Sequence, residues 1–361
     1  MSLPADAVSR LRLIRTDSIG PVTYRQLVAR FGSAAAALDA LPDLARRGNR
    51  QLSICTKDAA EAELSEAARL GAQLLFLGTS DYPPLLARTE TAPPVLFAHG
   101  DAALLDRPAV AIVGARNASA AGVRFARQLA ADLGEADFVV VSGLARGIDA
   151  AAHIAALDRG TVAVIAGGID VAYPPDHADL MAKIAANGLV IAEQSPGVQP
   201  QARHFPRRNR IIAGLAAGTI VVEGAPKSGS LITARIAAEL GREVMAVPGS
   251  PLDPRAQGCN LLIREGATLI QSAADVLEAL HTLSGQPAIP LHVSEPDAAP
   301  ALTAEPAARA AVMALLSPTP VQIDELVRQS RLPAAQVATV LLDLELEGTV
   351  IRHAGARVAL G

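Results

Sequence analysis

The stretch "AVAIVGARNASAAG", residues 109–122, decides how the chain is read. Its first six residues are apolar at odd and even positions alike, so a strand formed there is buried on both faces. A turn containing Gly114, Arg116 and Asn117 follows, and Ser119 opens a segment of helical period. The same sequence of events recurs on both sides. Further apolar runs lie at FVVVSG (138–143), TVAVIAGG (161–168), LVIAEQ (189–194), TIVVEG (219–224) and EVMAVPG (243–249). Helical patterns separate most of them. Strands covered on both faces and joined by crossover helices imply an α/β fold with a doubly wound, mostly parallel sheet. LLFLG (74–78) and VLFAHG (95–100) are expected as additional edge strands.

Outward from this core the character changes. Residues 7–70 read as a small helical domain, with apolar positions at helical spacing in RLRLI, YRQLVARF and AAALDAL. Residues 71–280 hold the sheet. Residues 281–308, rich in Pro and Ala without a clean period, read as a linker, and 309–361 as a tail domain. Half of the 361 residues are hydrophobic and 19% are charged, which excludes a disordered chain. Cys55 and Cys259 lack the spacing of a disulfide framework or a zinc site. No metal and no cofactor is expected. The opening residues are too polar for a secretion signal and no apolar run is long enough for a membrane span, so a cytoplasmic protein is expected.

In such sheets ligands bind beyond the carboxyl ends of the strands. The segments leaving those ends carry Gly114 to Ser119, Ser142 to Gly147, Gly167 to Asp170, Glu193 to Ser195, and Glu223 to Ser230. Glycine, serine and cations recur, a composition suited to phosphate: backbone amides approach closely and arginines donate in pairs. Bland alternatives stand beside this reading. Ser119 serves equally as a helix cap, Asp149 as a first-turn acid, and His153 as a packed histidine. Neither GxxxxGK[ST] nor a dinucleotide fingerprint is present, which argues against a Walker-type ATPase.

"RHFPRRNR", 203–210, concentrates four arginines and a phenylalanine in a chain of formal net charge -4. Pro206 suits the first turn of a helix whose buried stripe is Ile211, Ile212 and Leu215. Arg207 and Arg210 are expected on the rim, and Arg208, in line with Ile212 and Leu215, partly buried. Phe205 is placed to stack on a base or to pack under the arginines. Cations beside an aromatic ring suit single-stranded nucleic acid, whose backbone meets charge while a base meets the ring.

The runs "VAIVGARNASAAG", "SGLARGIDAAAH", "RHFPRRNRIIAGLAAGTIVVEGAPKSGSLITARIAAELGREVMAVPG" and "GCNLLIREGA" together resemble the DNA processing protein A family, DprA, also called Smf. The resemblance implies an extended Rossmann-like domain that binds single-stranded DNA without catalysis, forms homodimers, and loads the RecA recombinase onto incoming strands during natural transformation. Single-strand binding protein is a further candidate partner. Carried over by residue, the implied DNA site comprises Arg116 and Ser119; Ser142, Gly143 and Arg146; Phe205, Arg207, Arg208 and Arg210; and Lys227, Ser228, Ser230 and Thr233. "SIGPVTYRQLVARFGS" resembles the family's N-terminal module, related to helix-hairpin-helix or sterile-alpha-motif domains, with Ser18 where a glycine is usual.

The tail resembles the family's winged helix, and its element order agrees: helix QIDELVRQS, turn RLP, helix AAQVATVLLDLELEG, ribbon TVIRHAGARVAL. The second of these helices would enter the major groove in a duplex reader. Residues 334–348 contain no Lys or Arg but carry Asp343, Glu345 and Glu347, so protein contact or regulation is expected instead. The competing enzymatic reading is a nucleotide-processing hydrolase of the lysine-decarboxylase-like, phosphoribohydrolase group. Pro226-Lys227-Ser228-Gly229-Ser230 stands where that group carries its PGGxGTxxE-like motif, without the following glutamate.

Overall fold

The computed structural model describes residues 3–47, 52–284, 306–353 and 355–361. Two compact units emerge. One runs from Glu63 to Ile289; the other joins Met1–Ala62 to Pro290–Gly361.

The larger unit is built on nine strands. They are β1 (Gln73–Phe76), β2 (Val95–Gly100), β3 (Ala109–Gly114), β4 (Val139–Ser142), β5 (Thr161–Gly168), β6 (Leu189–Gln194), β7 (Gly218–Val222), β8 (Glu243–Ala246) and β9 (Thr268–Leu269). Their order is β1-β2-β6-β5-β4-β3-β7-β8-β9. From β6 to β9 all neighbours are parallel. β2 joins β6, and β1 joins β2, in antiparallel register. Both strands expected from LLFLG and VLFAHG are therefore present, but only β1 lies at the edge; β2 is enclosed between β1 and β6.

Alternation of side chains explains why these runs carry so few polar residues. On β3, Ala109, Ala111 and Val113 enter one core, while Val110 and Ile112 enter the other. Each face is roofed by helices, numbered here with four that precede the sheet: α1 (Ala7–Arg15), α2 (Pro21–Phe31), α3 (Ala34–Arg47) and α4 (Lys57–Arg69). Within the sheet unit follow α5 (Pro84–Ala87), α6 (Ala120–Glu135), α7 (Ile148–Ala156), α8 (Ala178–Asn187), α9 (His204–Leu215), α10 (Gly229–Glu239), α11 (Gln257–Arg264) and α12 (Ala273–Ser284). α9, α10 and α11 cover the first core with Ile211, Ile212, Leu231 and Leu262. α6, α7 and α12 cover the second with Leu129, Leu133, Ile148 and Val276. Each such side chain contributes about 1.5–3 kcal/mol.

Strand order reverses between β3 and β7: the chain builds outward from β3 through β4, β5 and β6, then returns to β7 on the other side of β3. The segments after β3 and β7 therefore diverge and leave a crevice. The two strands must approach closely there. A Cβ on Gly114 would lie 2.0 Å from the Val222 carbonyl oxygen and 2.6 Å from Ile148.

The smaller unit contains α1, α2 and α3 around Leu13, Tyr24, Leu27 and Leu41. It also contains α13 (Pro306–Met313), β10 (Val321–Gln322), α14 (Ile323–Ser330), α15 (Ala334–Leu346), β11 (Val350–His353) and β12 (Arg357–Leu360). The three strands form a sheet of order β10-β12-β11, which with α13 to α15 makes a winged helix. Of the expected linker 281–308, residues 285–305 lie outside the described residues; 281–284 close α12 and 306–308 open α13. No described helix is long and apolar enough to cross a membrane.

Replacing Gly114 with alanine forces a methyl group into the β3–β7 seam. The expected loss is about 1–3 kcal/mol, the usual range for overpacking, seen as a lower thermal midpoint of the purified protein. An unchanged midpoint would show that the seam tolerates the added carbon.

Candidate nucleic-acid interface

At the β3–β7 crevice lies a cleft of about 510 Å³. The turn after β3 lines it with Gly114, Arg116 and Asn117, α9 with Phe205, Arg208 and Asn209, and the start of α10 with Ser228, Ser230 and Thr233. Asp149 and Arg255 also reach it. Six of the residues expected at the site thus meet there: Arg116, Phe205, Arg208, Ser228, Ser230 and Thr233.

Arg208 is the buried cation beneath this cleft. Its residue is only 7% exposed, as its alignment with Ile212 and Leu215 predicts. Burial pushes its pKa down to about 10, and the Asp149 carboxylate offsets part of that fall. Asp149 accepts from the Gly143 amide at 3.1 Å and the Ala145 amide at 3.3 Å. Burial raises its pKa, while Arg208 and the two amides act in the opposite direction. Gly143 is required by space: a Cβ there would sit 1.6 Å from the Arg208 Nη1. The Arg208 Nε is buried with no hydrogen-bond partner among the described residues. Arg208 as a residue nonetheless lines the cleft, and its guanidinium carries further N–H donors besides the buried Nε.

Above Arg208 sits an aromatic pair. The rings of Phe205 and Tyr173 are 5.4 Å apart between centroids and inclined at 55°. The Arg116 guanidinium carbon lies 5.6 Å from the centre of the Phe205 ring, within cation–π range. Tyr173 is 46% exposed, which a core ring would not be. Sequence reasoning missed it, as it missed Asn209 and Arg255. The available signal was its position just beyond the Gly167–Asp170 segment, in a chain with only three tyrosines.

The helix starts flanking the crevice differ. At α6, Ser119 accepts from the Gly122 amide at 2.9 Å and donates to Glu223 at 2.5 Å. The Ser119 amide donates to the same carboxylate at 2.9 Å. The amino end of α6 therefore already holds an anion, Glu223, and Ser119 faces a neighbouring cleft with Arg124, Phe125 and Gln128. At α10, Ser228 makes no capping bond to the helix and instead pairs with Ser230 at 2.8 Å between hydroxyl oxygens. That helix start opens into the Arg208 cleft.

The remaining expected residues separate into two groups. Ser142 is fully buried and donates to the Ile112 carbonyl at 2.6 Å, so its hydroxyl ties β4 to β3. Arg210 does not share the outward side with Arg207. It donates to Glu193 at 2.5 Å and to the Thr91 carbonyl, because the end of β6 presents a carboxylate to that flank of α9. Arg207 and Lys227 are exposed, and no ion pair engages them among the described residues. Arg146 is exposed on the loop after β4 and pairs with Asp176 at 2.5 Å, a surface contact that solvent weakens.

Beneath the rim His153 is fully buried. Thr161 spends its proton on the Val140 carbonyl at 2.8 Å, so His153 Nδ1 donates to Thr161 at 2.7 Å. Burial first, then the charges of Arg208 and His177, push its pKa down to about 3. The folded state thus keeps this imidazole neutral.

The family model described as DNA recombination-mediator protein A matches residues 73–281. Models for a DprA-like N-terminal HHH domain and a DprA winged helix domain match 4–66 and 296–356. DNA processing protein DprA of Streptococcus pneumoniae R6 is 50% identical over 198 residues, spanning 54% of this chain and 70% of that protein. A crystal structure of DprA from Streptococcus pneumoniae superposes with a TM-score of 0.65 at 36% identity, covering 77% of this chain and 98% of the other. A structure of DNA processing protein A from Helicobacter pylori, described for its single-stranded DNA binding mode, gives 0.53 at 28% identity over 59% and 96%.

A depressed histidine pKa has a definite sign. Above pH 6.5 His153 is neutral folded or unfolded and costs nothing. Between pH 6.5 and about 3 the unfolded chain takes up a proton that the folded one refuses, so stability falls. His153→Asn should flatten the loss of thermal midpoint between pH 7 and pH 5 by the equivalent of roughly 1.4 kcal/mol per pH unit below 6.5. Equal slopes for parent and variant would refute the buried neutral imidazole.

Proposed function

This chain belongs to the DNA recombination-mediator protein A family, and from that membership we propose that its cleft binds single-stranded DNA. The carrying observation is the meeting, at one crevice, of a buried arginine, an open helix start and the half-buried Phe205 ring, which pairs with the exposed Tyr173. A phosphate group placed against Arg116, Arg208 and the α10 start finds cations and amides there. A base beside it finds Phe205 and Tyr173 to stack on. Ser228, Ser230 and Thr233 offer hydroxyls. Arg207, Lys227 and Arg146 extend the positive rim along a strand leaving the cleft. Ser119, Ser142, Gly143 and Arg210 act one step back, holding the loops that present these groups.

The reading extends to the rest of the family's role. The chain binds the strand without cutting it, pairs with a second copy through its sheet domain, and hands DNA to the RecA recombinase in the cytoplasm. Asp149 supports binding over hydrolysis. It is the carboxylate lining the cleft, and it is committed to the Gly143 and Ala145 amides. Glu223 is engaged at the start of α6. We also propose the sequence-based domain limits, 7–70, 71–280 and 309–361, as the working boundaries.

Binding to oligo(dT) should fall about ten- to a hundredfold for Arg116→Ala, by the roughly 1.5–3 kcal/mol of a charged hydrogen bond. Arg207→Ala should weaken binding with the thermal midpoint unchanged. Arg210→Ala should lower the midpoint, because it leaves Glu193 without that partner. About four engaged phosphates predict a log–log salt slope near -3, at about -0.7 each. Salt-independent binding, or full affinity in Arg116→Ala, would remove the cleft from consideration.

A further inference from the structure

We propose that the outward stripe of α15 is a docking surface for the chain's own N-terminal helical domain, and that this contact replaces duplex reading in the winged helix. Helical spacing divides α15 in two. Val337, Val340, Leu341 and Leu344 pack into the winged helix's own core. Leu342 and Leu346, one turn apart, belong to a different cluster, with Leu13, Tyr24, Leu27 and Leu41 of α1 to α3. Both leucines are 2% exposed.

Between them lies the polar centre of the contact. Asp343 accepts from the Arg30 Nη1 of α2 at 2.6 Å, and the two side chains are only 11% and 3% exposed. Around it runs a rim: Thr23 donates to Glu345 at 3.4 Å, and Arg352 of β11 donates to Glu345 at 2.9 Å and to Gln26 at 3.2 Å. Taking an ion pair out of water is unfavourable unless the geometry is held, so a buried pair between two modules selects one register over others. Two leucines supply the attraction; the ion pair supplies the orientation.

The acids on and just after α15 are thus engaged, Asp343 and in part Glu345 by the N-terminal domain and the rest within the winged helix. Asp343 and Glu345 meet Arg30, Thr23 and Arg352, and Glu347 pairs with Arg309 of α13 at 2.9 Å. In a duplex-reading winged helix, the stripe turned away from the module's own core is the one that enters the groove. Here that stripe is occupied. The N- and C-terminal modules therefore close on each other, and the sheet domain is inserted in sequence between them.

Spin labels test this in the full chain, at exposed positions of α3 and α14, by Asp39→Cys and Gln329→Cys with Cys55→Ser and Cys259→Ala. The proposal expects one narrow label-to-label distance, unchanged when labelled protein is diluted tenfold with unlabelled protein. Arg30→Glu should broaden the distribution at unchanged far-ultraviolet helicity, and Arg30→Asp with Asp343→Arg should narrow it again. Leu346→Ala should broaden it as well, without reversing any charge. A broad distribution in the otherwise native chain, or a distance lost on dilution, overturns the proposal. So does a narrow distance that survives both Arg30→Glu and Leu346→Ala.

Discussion

A guanidinium deprived of water must be answered by charge and held in one place, and in this protein that demand falls on Arg208. Its answer is Asp149, which in turn gathers the Gly143 and Ala145 amides and so shapes the loop after β4. Gly143 has no side chain because the guanidinium occupies that space. Ile211 and Ile212, on the same helix, fasten α9 to the sheet. The arginine is therefore neither free to swing nor fully satisfied: it lines the cleft while its buried Nε has no hydrogen-bond partner among the described residues. Such a guanidinium is already ordered by folding, and a ligand that meets it gains without ordering a flexible side chain.

Around that fixed point the cations divide their labour. Arg210 is drawn to Glu193 and holds α9 against the β6 end. Arg116 lies over the Phe205 ring, and Arg207 and Lys227 stay exposed. The helix starts are divided in the same way. Glu223 fills the amino end of α6 with a carboxylate of the protein's own, so the positive end of that dipole is already balanced. Among the described residues, the start of α10 has no acid in its first turn and no capping side-chain bond. Two similar turns on either side of one crevice thus differ by a single acid: one is structural, the other open.

The smaller unit follows the same logic at a module boundary. Leucines on the unused stripe of α15 would be exposed on an isolated winged helix; against α1 to α3 they are covered. The ion pair of Arg30 and Asp343 stands at the centre of that apolar contact rather than at its edge. An acidic helix surface that looked, in isolation, merely unsuited to DNA is in the folded chain a matched interface.

Period and order along the chain determined the architecture. Runs apolar at every position required a sheet covered on both faces, their alternation with helical segments required crossovers, and the burial of Arg208 followed from its spacing to Ile212 and Leu215. These features are local: a turn of helix or a pleat repeats within a few residues, and a sequence displays it directly. The folded structure decided which of several similar residues were free. Ser119 meets Glu223 across 104 positions, Arg210 meets the Thr91 carbonyl across 119, and Arg30 meets Asp343 across 313. No periodicity encodes such pairs, because a hydrogen bond depends on where two atoms arrive in space. The pairing of Tyr173 with Phe205 and the covered stripe of α15 belong to that second class for the same reason.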